Sequence, residues 1–197
     1  MAHADFPAYR GRMEYVCLDC GARYPGDDLL YTCPQCGGVF LLENLDFGKL
    51  KERSGAAWRE LFDARSASRS TALRGIFRYY ELLAPLLDED DIVYLGEGIT
   101  PIVEAAPALR DQVGVSFAYK NDGQNPSASF KDRGMACAFS YLKWLCRRNK
   151  WDEVLTVCAS TGDTSAAAAL YASYVGAPLK SVVLLPHGKV TPQQLAQ

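Results

Sequence analysis

Apolar residues follow a helical spacing over parts of the chain and gather into short continuous runs elsewhere. Between 45 and 90, Leu50, Trp58, Leu61 and Phe62, then Ile76, Phe77, Tyr80 and Leu83, recur at the intervals that put side chains on one helical face. Pro85 and the acidic cluster Asp88–Asp91 close that region. Beyond residue 92 the pattern alternates. Val113–Tyr119 reads as a strand, Ser129–Asn149 as a helix, and Val154–Ala159 as a strand buried on both faces. Thr164–Val175 reads as an alanine-rich helix stopped by Gly176, Ser181–Leu185 as another strand, and Thr191 begins a further helix. Such alternation predicts right-handed βαβ crossovers and a parallel sheet, an α/β fold.

Residues 1–44 have no such period: short aromatic and aliphatic runs are separated by turn residues and paired cysteines. Three segments therefore separate, a small ribbon over 1–44, a helical connecting segment over 45–90 and an α/β region over 91–197. No internal repeat or low-complexity tract interrupts them.

Composition narrows the function. The formal net charge of -2 argues against a general polyanion binder, so no nucleic-acid partner is expected. Residues 51–78 hold seven basic side chains against three acidic ones, which reads as a solvated helical face. No run approaches the ~18 apolar residues of a membrane span, and the segment MAHADFPAYRGR lacks the apolar core of a secretory signal. Of the seven cysteines, four form two close pairs, which points to metal binding in a reducing cytoplasm rather than to disulfides.

Those pairs are Cys17-x-x-Cys20 and Cys33-x-x-Cys36, each followed by a glycine, Gly21 and Gly37. Two thiolates three positions apart reach one ion when the backbone folds into a tight knuckle. Four sulfurs make a closed tetrahedral zinc site with no open position, a structural site and not a catalytic one. An iron–sulfur cluster is chemically compatible with the same four ligands. Cys137, Cys146 and Cys158 lie on apolar faces as core residues.

Two loops carry candidate chemistry. Asn125-Pro-Ser-Ala-Ser-Phe-Lys131-Asp-Arg-Gly134 follows a strand and opens a helix, at the carboxyl edge where open α/β sheets bind ligands. Ser127 or Ser129 suits the helix cap. The helix dipole and partial burial favour a neutral Lys131 amine, the form imine chemistry needs. Ser160-Thr-Gly-Asp-Thr-Ser165 also lies between strand and helix, and its hydroxyls and amides suit a carboxylate or phosphate. Asp163, inside that loop, suits a cationic or donating part of a ligand.

With Leu95-Gly-Glu-Gly-Ile-Thr-Pro101, these loops look like three successive signatures of the threonine synthases among the fold-type II pyridoxal-phosphate enzymes. The cysteine ribbon and Gly75-Ile-Phe-Arg-Tyr-Tyr-Glu-Leu-Leu resemble their N-terminal region, and Ser-Phe-Lys-Asp-Arg-Gly is the most specific match. The resemblance implies a lyase that converts O-phospho-L-homoserine and water to L-threonine and phosphate in threonine biosynthesis. It implies pyridoxal 5'-phosphate held as a Schiff base on Lys131, Asp163 beside the cofactor's 3′ oxygen, and Ser160, Thr161 and Thr164 on the substrate carboxylate. Lys131, once released, would move protons at the substrate's α and β carbons. It further implies a small-molecule phospho-amino-acid partner, a cytoplasmic location and a homodimer at full length.

The match has departures. Ile99 stands where a polar residue is frequent and Ala128 where glycine is frequent. The Gly-rich loop for the cofactor phosphate and the hydroxyl for the pyridine nitrogen fall outside these residues, so the resemblance implies incomplete βαβ units and a piece not fully active alone. Another fold-type II lyase, such as a serine/threonine dehydratase, would use the same lysine. A zinc-ribbon binding module without activity is the reading from a different class.

Overall fold

The computed structural model describes residues 6–196. The reading of the N-terminal segment as no signal falls partly on residues 1–5, and the last helix is read as far as Gln197; these residues lie outside the described ones. The chain divides into two compact units, Met1–Ile92 with Ser140–Trp151, and Val93–Phe139 with Asp152–Gln197.

The first unit opens with a three-stranded antiparallel sheet in the order β2-β1-β3, formed by β1 (Met13–Cys17), β2 (Arg23–Pro25) and β3 (Phe40–Asn44). Tyr15 sits opposite Tyr24 on one side and Leu42 on the other, which fixes the register. Both cysteine knuckles leave this sheet in the same way. Gly21 donates its N–H to Cys17 O at 3.0 Å, and Gly37 donates to Cys33 O at 2.8 Å. Their φ values of 74° and 77° lie in the left-handed region, where glycine alone is unstrained.

Three helices follow: α1 (Phe47–Leu50), α2 (Gly55–Arg65) and α3 (Tyr80–Leu83), with short 3-10 turns between the last two. Ser54 caps α2 by accepting from Ala57 N–H at 3.2 Å. Phe77 and Tyr80 are fully buried with Leu73 and Leu87, whereas Leu83, expected on the same face, is 36% exposed because α3 ends there. The basic run is not wholly a solvated face. Arg65 is buried and makes a two-pronged pair with Glu81, Nη1 to Oε2 at 2.7 Å and Nη2 to Oε1 at 2.5 Å. Removing either partner would leave an uncompensated buried charge. The acidic cluster is paired as well: Arg147 donates to Asp91 at 2.8 and 2.6 Å.

The second unit contains β4 (Ile102–Glu104), α4 (Pro107–Val113), β5 (Ala118–Lys120), the start of α5 (Lys131–Asn149), β6 (Val154–Cys158), α6 (Asp163–Val175), β7 (Leu179–Val183) and α7 (Pro192–Ala196). β6 and β7 are parallel and joined by α6, a βαβ crossover. β4 and β5 instead pair antiparallel as a separate two-stranded sheet. The strand expected over Val113–Tyr119 is only Ala118–Lys120. Pro107 in the first helical turn starts α4, and Gly114 with φ 75° stops it. Val154–Ala159 is not buried on both faces: Leu155 and Val157 are 55% and 58% exposed. α6 lies against this two-stranded sheet, and the composition of a strand does not say whether its second face is covered. Thr191 and Gln194 make a reciprocal cap on α7, at 2.8 and 3.2 Å. Among the described residues, no helix is long and apolar enough to cross a membrane.

Candidate functional site

Lys131 is the first residue of α5, and the loop before it is closed by its own side chains. Asp132 is fully buried and accepts from Ser127 N–H at 2.7 Å and Ser127 Oγ at 2.6 Å. Such charge-assisted bonds to a buried carboxylate are the strong kind. They close the chain from 127 to 132 into a ring that forces Ala128 to φ 58°, a conformation costly for a residue with a side chain.

Ser129, 4% exposed, works in two directions. Its Oγ accepts from Lys131 N–H at 3.2 Å and donates to Asp163 Oδ2 at 3.1 Å. The two chemistry-bearing loops, separated by 34 positions at this contact, therefore touch through one hydroxyl. Lys131 itself is half-buried, and its Nζ lies 4.5 Å from the centre of the exposed Phe130 ring.

The second loop spends part of its polarity on its own shape. Ser160 Oγ accepts from Gly162 N–H at 3.3 Å, and the buried Ser165 donates to Gly162 O at 2.7 Å. Gly162 caps α6 without a side-chain bond, so the helix's amino end keeps its positive character for a ligand. Thr161 and Thr164 are half-buried beside it and Asp163 is exposed. The structure thus joins Lys131 and Asp163 through Ser129, and places Ser160, Thr161 and Thr164 on the same short loop as Asp163.

Nearby, Glu97 is buried, accepting from Leu95 N–H at 3.0 Å and from Tyr171 hydroxyl at 2.9 Å. Burial holds its carboxyl above the usual carboxylate range, despite these donors.

In the first unit, the sulfurs of Cys17, Cys20, Cys33 and Cys36 all lie within 4.8 Å of one another. Cys17 and Cys36 are 3.4 Å apart and Cys20 and Cys33 3.7 Å. Four sulfurs each ~2.3 Å from one ion at tetrahedral angles would lie about 3.8 Å apart. Tyr24 hydroxyl lies 3.5 Å from Cys33 Sγ, and its donation lowers that thiol to about 6, favouring the thiolate that binds metal.

Ser129 as the bridge, Asp132 as the loop's lock and Tyr24 as the partner of Cys33 were not assigned from sequence. Tyr24 had a visible signal, an aromatic residue between the two knuckles, and Ser129 was read only as a candidate helix cap.

The sequence profile described as "Pyridoxal-phosphate dependent enzyme" matches residues 93–197. The threonine synthase of Methanocaldococcus jannaschii is 39% identical over 183 residues, covering 92% of this chain and 40% of that protein. The threonine synthase of Methanosarcina acetivorans is 34% identical, covering 92% and 39%. Threonine synthase 2, chloroplastic, of Arabidopsis thaliana is 35% identical, covering 88% and 33%. The chain spans two fifths or less of the length of these curated relatives.

Proposed function

The chain belongs to the pyridoxal-phosphate dependent enzyme family, and from that premise we propose that it serves the conversion of O-phospho-L-homoserine and water to L-threonine and phosphate. The observation that carries this reading is the Ser129 bridge, which ties the Lys131 loop to the Asp163 loop at 3.1 Å. The names of the relatives favour this reaction over that of a serine/threonine dehydratase. The proposal keeps a ribbon over 1–44, a connecting segment over 45–90 and a cofactor region over 91–197.

The residues present fit the cofactor. Lys131 offers a half-buried amine at the head of a helix, and the amino end of α6 is free of side-chain caps. Pyridoxal 5'-phosphate, when bound, would supply an electron sink for carbanion character at the substrate carbons. Lys131 Nζ would be the attachment point, and in its free form it would move protons at the α and β carbons. Asp163, held by the Ser129 hydroxyl, would face the cofactor's 3′ oxygen. Ser160, Thr161 and Thr164 take the substrate carboxylate, with the α6 amides behind them.

Cys17, Cys20, Cys33 and Cys36 fit one Zn²⁺, and their separations suit its tetrahedron. The ion supplies folding energy to the ribbon and no chemistry to the reaction.

The test is release of inorganic phosphate from O-phospho-L-homoserine, with threonine measured in the same samples, by the polypeptide that contains this chain. Equimolar phosphate and threonine support the reading; 2-oxobutanoate in place of threonine, or no turnover with cofactor bound, rejects it.

A further inference from the structure

Two side chains leave the first turn of α5 about 200° apart around the helix axis, Lys131 and Arg133. The second has no part in the chemistry described above. Its guanidinium reaches three groups at once: Nη1 donates to Gly98 O at 2.9 Å, and Nη2 donates to Thr100 Oγ1 at 3.2 Å and to Asp122 Oδ1 at 2.7 Å. The cluster is closed on itself. Thr100 Oγ1 donates to Asp122 Oδ1 at 2.6 Å, and Lys120 Nζ donates to Thr100 O at 2.9 Å.

The loop held in this way is 95–101, and it adjoins the Lys131 loop directly. Gly98 N–H donates to Asn125 Oδ1 at 3.1 Å, and Asn125 is buried and braced by its own amide on Asp122 O at 2.9 Å. Gly98 is therefore gripped on both its N–H and its carbonyl. Its φ of 102° belongs to a conformation that side-chain-bearing residues avoid, so the loop's shape is set by these external bonds. Glu97 and Thr100 turn inward and are bonded, whereas Ile99 is 50% exposed. The loop thus offers an apolar side chain on a fixed backbone.

We propose that Arg133 is a positioning residue for the Lys131 site: its guanidinium fastens the 95–101 loop to the first turn of α5 and so fixes one wall of the cofactor and substrate space. This inference rests on the reading that Lys131 carries the cofactor. A planar fork with several donors is the group that can serve carbonyl, hydroxyl and carboxylate together; an ammonium cannot match that geometry.

The test uses the same polypeptide as the phosphate-release assay, with pyridoxal phosphate as the probe. Arg133→Met should raise the cofactor concentration for half-saturation by about tenfold or more, followed by the visible absorbance of the lysine-bound form. It should also change the circular dichroism of that band and speed amide exchange in residues 95–101. Arg133→Lys should recover little of either. Thr100→Val removes one leg of the clamp, should shift both readouts the same way by less, and serves if Arg133→Met does not fold. Wild-type protein that never takes cofactor on Lys131 would remove the proposed function and this role with it. Wild-type loading, with the variants matching it in half-saturation, dichroism and exchange, would overturn the Arg133 inference alone.

Discussion

Ser129 Oγ donates to Asp163 Oδ2 at 3.1 Å while accepting from the backbone of Lys131 at 3.2 Å, so one buried hydroxyl couples the two loops that carry the candidate chemistry. A hydrogen bond to a charged acceptor is worth ~1.5–3 kcal/mol when both partners are shielded. Asp163 is exposed, which lowers that worth. Ser129→Ala should therefore destabilise the chain by about 1–2 kcal/mol in urea unfolding. In a double-mutant cycle with Asp163→Ala the two changes should be less than additive. Strict additivity would mean that the bond carries nothing.

Ala128 occupies a left-handed conformation at φ 58° inside the ring closed by Ser127 and Asp132. That costs an L residue ~1–2 kcal/mol, while a glycine gives back ~0.5–1 kcal/mol through its freer unfolded chain. Ala128→Gly should then be neutral or stabilising by up to about 1.5 kcal/mol. A clear fall in the denaturation midpoint would show that the ring does not impose the strain.

Glu97 sets a pH dependence. Its folded-state pKa is raised by burial, so the folded form binds its proton more tightly than the unfolded form does. The penalty is absent below the unfolded value near 4.5, grows as pH rises through the folded value, and is complete above it. Glu97→Gln keeps an acceptor for Leu95 N–H and Tyr171 hydroxyl. The variant should gain stability relative to wild type as pH rises from about 4 to 7. A stability difference that does not change over that range would contradict the assignment.

The ribbon should hold one zinc per chain, and Cys33→Ser should lose it by elemental analysis. Tyr24→Phe removes the donor to Cys33 Sγ and should weaken zinc binding by about tenfold, in line with other outer-shell partners of metal ligands. Full retention of zinc by Cys33→Ser would refute the site.

How much of this was legible beforehand depended on how local the cause was. The cysteine knuckles were readable because four ligands and two glycines lie within a few residues of one another, and the sulfurs do converge. α6 was readable from its alanines and Gly176. The Val113–Tyr119 stretch misled because its β-branched residues outweighed Gly114, which ends the helix that Pro107 starts and leaves a short antiparallel pair. Arg65 looked like one more solvated cation, since nothing local announces Glu81 sixteen positions away. The Ser129–Asp163 bond lies further still from any sequence period. Contacts between loops are set by the packing of whole elements, and only the loops themselves can be read from residues.

The central claim is that Lys131 carries the cofactor, and one measurement addresses it directly. The protein is incubated with pyridoxal phosphate, reduced with borohydride, digested and mapped by mass spectrometry. The account expects the phosphopyridoxyl group on the peptide containing Lys131, with its loss in Lys131→Ala and no transfer to Lys120 or Lys143. A label on another lysine, or labelling undiminished in Lys131→Ala, would contradict it.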